Sequence, residues 1–326
     1  KDNILPLEED IHVRRLSEII TQAWHTDEIR DQRPTPVDEA KWGFAVIEQS
    51  LWQAIPRFYR QLEQQFSKHL NDSLLPMELA PVKFATWMGG DRDGNPNVTA
   101  KVTREVSLLA RWMAADLYIK DLNVLRSEFS MSECNQALRD RVGESTQPYR
   151  EILRNLENRL IATRHWAQAS IKGESVSREG ILLDSQQLHD DLVLCHQSLI
   201  DCGMKVIANG RLLDLIRCAA TFGLSLVKLD VRQDASRHID ALSAITRFYG
   251  VGDYAEWDEA SRQAFLLTEL NSKRPLLPRD WKTTDEVKEV LDTFAMIADG
   301  DASSFGSYVI SMASAPSDVL AVALLL

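Results

Sequence analysis

An apolar run that empties into a glycine-rich, charged turn constrains this chain more than any other stretch. Val82–Met88 (VKFATWM) is rich in aromatic and β-branched residues and has strand length. Gly89-Gly90 breaks it. Asp91-Arg92-Asp93-Gly94-Asn95-Pro96 then sets two acids, a base and three turn formers into six positions. Most of the remaining chain reads as helix. A strand opening into such a loop, among helices, is how α/β enzymes present chemistry.

Two further strands are expected at Leu224–Val231 and Ser307–Met312. Helical spacing covers residues 7–24, and 38 to about 70 with an interruption near Pro56. It resumes from Asn97 or Thr99 to about 125, then over 132–141, 148–171, 185–201 and 209–221. Further helices are expected over 234–249, 256–271 and 283–299, with a last one starting at Ser317-Asp318. Lys172–Gly180 reads as a surface loop. Three strands, each followed by a helix, give parallel β/α units. The fold class is therefore α/β, predominantly helical. The strands stand too far apart for simple units, so helical insertions decorate the sheet, and residues 1–326 read as one continuous piece.

Composition narrows the function. The net charge of −11, without a basic stripe, argues against a nucleic-acid partner. No apolar run is long enough to span a bilayer and no signal peptide opens the sequence, so no membrane partner is expected. Cys134, Cys195, Cys202 and Cys218 form no CxxC pair, which leaves neither a zinc nor a redox motif and suits reduced thiols in a cytoplasmic protein. The sequence starts at Lys1 and stops at Leu324-Leu325-Leu326 inside a helical pattern, as an excised or truncated piece would.

Strand parity sorts the candidate site residues. Val227, Leu229 and Val231 share one face, and Lys228, Asp230 and Arg232 the other. Phe84, Thr86 and Met88 likewise oppose Lys83, Ala85 and Trp87, while Tyr308, Ile310 and Met312 oppose Ser307, Val309 and Ser311. A buried Lys-Asp-Arg row is costly unless paired, and this row partly neutralises itself. Arg232, at the carboxyl end, is best placed to offer its fork of donors to a phosphate or carboxylate. An ion pair with Asp230 or Asp91 is the equal alternative on parity alone. Trp87 shares that face, although a core position is the commoner fate of tryptophan.

The Asp91–Asn95 turn is not a calcium loop, because Pro96 sits where glycine is needed and no bidentate glutamate follows. It reads as a scaffold turn whose acids cap backbone amides and are tied by Arg92. His25 with Thr26–Arg30 reads as a helix-end cluster rather than a catalytic one, and His238 as structural. Arg30 and Arg33 are candidates for an anionic effector at a subunit boundary. Lys273, Arg274 and Arg279 form a basic corner among prolines.

WMGGDRDGNPNVT is similar to the motif of phosphoenolpyruvate carboxylases. Trp24–Gly43 (WHTDEIRDQRPTPVDEAKWG), Lys228–His238 (KLDVRQDASRH), Leu270–Arg279 (LNSKRPLLPR) and Ser307–Val322 (SYVISMASAPSDVLAV) resemble the same family, in family order and nearest its bacterial form. The resemblance spans nearly the whole chain but only a middle portion of that longer enzyme. It implies a heavily elaborated TIM-like β/α barrel, of which this chain holds the second to fourth strands. It implies carboxylation of phosphoenolpyruvate by bicarbonate to oxaloacetate and phosphate, with Mg²⁺ or Mn²⁺ held by ligands outside this chain. Arg232 is implied to contact the substrate phosphate and Trp87 to wall the pocket near bicarbonate. Asp91, Arg92, Asp93, Lys228 and Asp230 become structural groups close to the site.

The family's TAHPTE-type histidine motif and its GRGG loop do not occur here, so the chain alone is expected not to turn over. The remainder of its own chain and a cytoplasmic homotetramer under allosteric control are further implications. Two rivals differ in class. One is another barrel enzyme acting on phosphoenolpyruvate or a keto acid. The other is a non-catalytic helical module for assembly or effector binding, which requires Arg232 to be paired and closed off.

Overall fold

The computed structural model describes residues 6–26, 34–69, 75–277 and 281–326. It divides into Lys1–Thr35 and Pro36–Leu326. The first unit is built on helix α1 (Pro6–His25), close to the expected 7–24. Ile11, Leu16, Ile19, Ile20 and Trp24 of this helix are exposed. Thr26 closes it, its hydroxyl donating to the Gln22 carbonyl at 2.7 Å. Arg30 and Arg33, with Asp27 and Glu28, lie outside the described residues.

In the second unit the expected helix from Asp38 is two helices, α2 (Pro36–Val46) and α3 (Trp52–His69), joined by a π turn at Ile47–Leu51. The interruption thus falls before Pro56, which sits inside α3. Its missing N–H leaves the Trp52 carbonyl without its i+4 donor. The Cys218 thiol donates to that carbonyl at 3.6 Å, so the proline is accommodated by a tertiary contact.

Six helices follow: α4 (Ala100–Glu128), α5 (Gln136–Val142), α6 (Pro148–Ile171), α7 (Ser185–Asp201), the short α8 (Lys205–Ile207) and α9 (Leu213–Phe222). The starts of α4, α5 and α7 are capped by Thr99, Asn135 and Asp184, each accepting a backbone N–H of the first turn. The main core fills the space between these helices and α2 and α3. At its centre Phe222 stacks on Trp52 at 5.1 Å and on Phe84 at 5.4 Å. The chain continues through α10 (Ala235–Phe248), α11 (Glu259–Leu270), α12 (Asp285–Asp299) and α13 (Pro316–Leu325), which enclose smaller apolar clusters. None of the described helices is long and apolar enough to cross a membrane.

Strands β1 (Ala85–Thr86), β2 (Lys228–Asp234) and β3 (Phe305–Ser311) form a parallel sheet with β2 in the middle. β1 is much shorter than the expected 82–88. The Trp87 carbonyl is taken by the amides of Gly90 (2.8 Å) and Asp91 (3.0 Å), which turns the chain out of the ladder. It rejoins β2 at an isolated bridge between Asp91 and Arg232. β2 begins later than expected because Leu226, at φ 59°, is still in a turn, and it ends later because its pairing with β3 continues to Asp234. β3 closes one residue earlier, at Ser311. Met312 adopts φ 56° and is 80 % exposed, so it leaves the apolar face on which alternation had placed it.

Candidate functional site

The two faces of the sheet differ as parity requires. Leu229, Val231 and Gln233 are buried, whereas Lys228 and Arg232 are exposed and Asp230 is half-buried. Phe84 and Met88 pack on the core, while Lys83, Ala85 and Trp87 are exposed. Trp87 is 68 % exposed, so in this chain it is not a core aromatic. Val309, opposite Arg232 in the register, is also exposed on that face. The open face therefore carries an indole, two ammonium groups and a guanidinium.

Arg232 is the best-defined group on it. Its Nε donates to the Ser311 hydroxyl at 2.8 Å, and one terminal nitrogen donates to Asp93 Oδ2 at 2.7 Å. The other lies 3.6 Å from Asp91 Oδ2. The partners are thus the turn acids and β3, not Asp230. The side chain still keeps 44 % of its surface exposed. It is paired and open at once, with a geometry held from two sides.

The turn that presents those acids is set by two glycines. Gly89 has φ +81°, and a Cβ there would also stand 2.6 Å from a Val106 methyl. A Cβ on Gly90 would stand 2.0 Å from the Asp230 carbonyl oxygen. That approach lets the Gly90 carbonyl accept the Arg232 N–H at 2.9 Å while the Arg92 N–H donates to the Arg232 carbonyl at 2.9 Å. Asp91 Oδ1 caps the Asp93 amide at 3.0 Å and Asn95 Oδ1 the Asn97 amide at 3.1 Å.

The expectation that Arg92 ties the two acids is corrected. Arg92 is buried beneath the turn, donating to the Gly90 carbonyl at 3.0 Å and to the Thr103 hydroxyl at 2.7 Å. Burial lowers its pKa, opposed by the charges of Glu289 and Tyr308. A buried cation here props the loop from below and leaves both acids to Arg232.

The model of the phosphoenolpyruvate carboxylase family matches residues 1–326. The chain belongs to the phosphoenolpyruvate carboxylase family. It is 79 % identical over 326 residues to the phosphoenolpyruvate carboxylase of Marinomonas sp. (strain MWYL1), covering 100 % of this chain and 37 % of the relative. Against that of Marinobacter nauticus it is 55 % identical over 325 residues, again 100 % of this chain and 37 % of the relative. Against that of Escherichia coli O81 (strain ED1a) it is 55 % identical over 317 residues, 96 % of this chain and 36 % of the relative. The chain thus spans little more than a third of the length of these phosphoenolpyruvate carboxylases.

The family implies a divalent metal ion, and the described residues do not fit one. Among them no three His, Cys, Asp or Glu side chains gather as a ligand set. Asp91 and Asp93 face the Arg232 guanidinium, and Asp230 Oδ1 accepts the Ser307 N–H at 2.7 Å.

Two residues of the site escape a reading of the sequence. Ser311 receives the Arg232 Nε, and Met312 holds a left-handed backbone at the same end of β3. Parity had put Ser311 on the polar face, but only the β2–β3 register brings it to Arg232. His238 is buried rather than exposed to the site, its Nε2 2.8 Å from the Tyr308 hydroxyl, and burial lowers its pKa to about 4.

Proposed function

We propose that this chain forms the phosphate-binding side of a phosphoenolpyruvate carboxylase active site, built on the exposed face of β1–β3 within a larger β/α barrel. The reaction is phosphoenolpyruvate plus bicarbonate to oxaloacetate plus phosphate. The observation that carries the reading is the open, two-sided hold on Arg232.

The chemistry asks for positive charge where the phosphoryl group transfers. A bicarbonate oxygen attacks phosphorus, the bond to the enol oxygen breaks, and carboxyphosphate and the enolate of pyruvate result. Carboxyphosphate then releases CO₂ and phosphate, and the enolate carbon attacks CO₂. Arg232 offers N–H donors to the phosphoryl oxygens, and its loose contact with Asp91 is the one a phosphate displaces. The Trp87 indole supplies an apolar wall that keeps water from the CO₂ step. Asp91, Asp93, Lys228 and Asp230 hold the loop and strand geometry around them.

The family's divalent cation, Mg²⁺ or Mn²⁺, takes its ligands from residues other than those described, in the part of the family's length that this chain does not span. A cytoplasmic homotetramer under allosteric control, with Arg30 and Arg33 as contacts for an anionic effector, completes the reading. The chain by itself binds without turning over.

Titration of phosphoenolpyruvate with Mn²⁺ present, against Arg232→Ala, tests it. Binding weakened at least about tenfold in the variant is expected from the loss of a charge-assisted pair. Equal binding by both proteins, or none by either, overturns a phosphate side preformed on these strands. Oxaloacetate formed by the chain and lost in Arg232→Ala would overturn its inactivity alone.

A further inference from the structure

A cavity lies at the other end of β3 from Arg232. Its volume is about 390 Å³, and it is lined by one face of α4, the end of α6, the loop that follows α6, and the turn that leads from α12 into β3. That is large enough for a small metabolite.

Its charge is unusual for so acidic a protein. Arg104 and Arg111 reach it from α4, seven residues apart and hence on one helical face, and Arg178 reaches it from the loop. Against these three guanidinium groups stand two carboxylates, Asp299 and Asp301. Asp301 is already engaged. It pairs with Arg111 and caps its own turn, accepting the Ser303 N–H at 2.9 Å and the Ser303 hydroxyl at 2.8 Å.

Arg104 and Arg178 are exposed and have no acidic partner among the described residues. Arg178 lies over the Trp166 ring at 5.3 Å and Arg111 over the same ring at 5.9 Å, so the indole gathers two cations at one wall. Burial, and then the nearby Arg178 charge, bring the Arg111 pKa down to about 10. The cavity thus holds more positive charge than its own acids offset. Leu108 and Leu183 give it an apolar side.

We propose that this cavity is a binding site for a small organic dianion of the phosphate-monoester class. Arg104 and Arg178 take the charged head beside Arg111, and the organic part lies against Leu108 and Leu183. Guanidinium forks suit the several oxygens of a phosphate better than a single carboxylate needs. The site is separate from the sheet face that carries Arg232 and stands whether or not the catalytic reading does.

Calorimetric titration of the 326-residue chain with phenyl phosphate tests the assignment. Three proteins are compared: the natural sequence, the Arg104→Ala/Arg178→Ala double variant and Arg232→Ala. Both replaced arginines are exposed and without acidic partners among the described residues, and the double variant gives up only the Arg178 contact with Trp166, so it is expected to melt close to the natural temperature. Arg178→Glu, placed in a loop, provides an independent reversal of charge. A saturable binding event that persists in Arg232→Ala is expected, weakened at least about tenfold in the double variant and in Arg178→Glu. Phenol, without the dianion, is expected not to bind. Absence of saturable binding, equal affinity in the double variant, or loss in Arg232→Ala alone would overturn the proposal.

Discussion

The carboxylate of Asp230 accepts the backbone N–H of Ser307 at 2.7 Å across the seam between β2 and β3. The ladder is irregular there, since Leu229 pairs with Phe305 but Val231 with Tyr308, so β3 carries one residue more than β2. Asp230 satisfies an amide the bulge would otherwise strand. A Cβ on Gly306 would stand 2.2 Å from that same carboxylate oxygen. Gly306→Ala is therefore expected to push that carboxylate off the Ser307 N–H and to destabilise the chain by about 1 kcal/mol, the contribution of the bond. Asp230→Ala in the same background should restore space while losing the bond, so the two changes should be clearly non-additive. Urea denaturation of the single and double variants checks this, and additive losses would refute it.

Thr103 links the buried Arg92 to the glycine turn. Its hydroxyl accepts from Arg92 at 2.7 Å and donates to the Gly89 carbonyl at 2.7 Å. Thr103→Val keeps the shape and removes both bonds, leaving a buried cation and a carbonyl less well satisfied. A loss of about 1–3 kcal/mol is expected. Thr103→Ser, which keeps the hydroxyl, should recover most of it. A chemical denaturation series would show the ordering, and an undisturbed Thr103→Val protein would contradict it.

How far the sequence leads depends on which force sets each element. The helices at 148–171 and 185–201 are read to the residue, because apolar periodicity and local stops coincide there. The alternation of β2 likewise puts Arg232 on the open face, since parity needs no knowledge of neighbours. β1 is overestimated because Trp87 and Met88 have strand chemistry while the glycines behind them already turn the backbone. The partners of Arg232 are beyond periodicity altogether. Asp93 arrives through the turn and Ser311 through a register shifted by the bulge at Gly306. Arg92 is misread for a related reason: its neighbours in sequence are acids, but the turn points its side chain the other way, toward Thr103.

His238 makes stability depend on acid. Its ring is buried beside Phe294 and Tyr308, and burial lowers its pKa from 6.5 to about 4, opposed by Asp318 and Asp234. The unfolded chain therefore takes up the proton first as the pH falls. This contribution is whole above about pH 6.5 and is lost progressively down to about pH 4, amounting to about 3 kcal/mol in full. His238→Phe fills the aromatic cluster without titrating. Its stability should fall less steeply than that of the natural protein between pH 6.5 and pH 4.5 in urea titrations. Parallel slopes would exclude His238 as the source.

Ser311 provides the sharpest check that Arg232 must be held as well as present. The Ser311 hydroxyl accepts the Arg232 Nε at 2.8 Å, while Asp93 holds a terminal nitrogen at 2.7 Å. With Ser311→Ala the guanidinium keeps its charge and the Asp93 pair but loses the contact that fixes its plane. One hydrogen bond of this kind contributes about 1 kcal/mol, so at the proposed phosphate site affinity for phosphoenolpyruvate should fall about fivefold, less than for Arg232→Ala. Ser311→Thr, which keeps the hydroxyl, should recover most of the affinity if its methyl is accommodated on the open face. A merely electrostatic role for Arg232 predicts instead that Ser311→Ala binds as the natural protein does, and titration of the three variants separates the two.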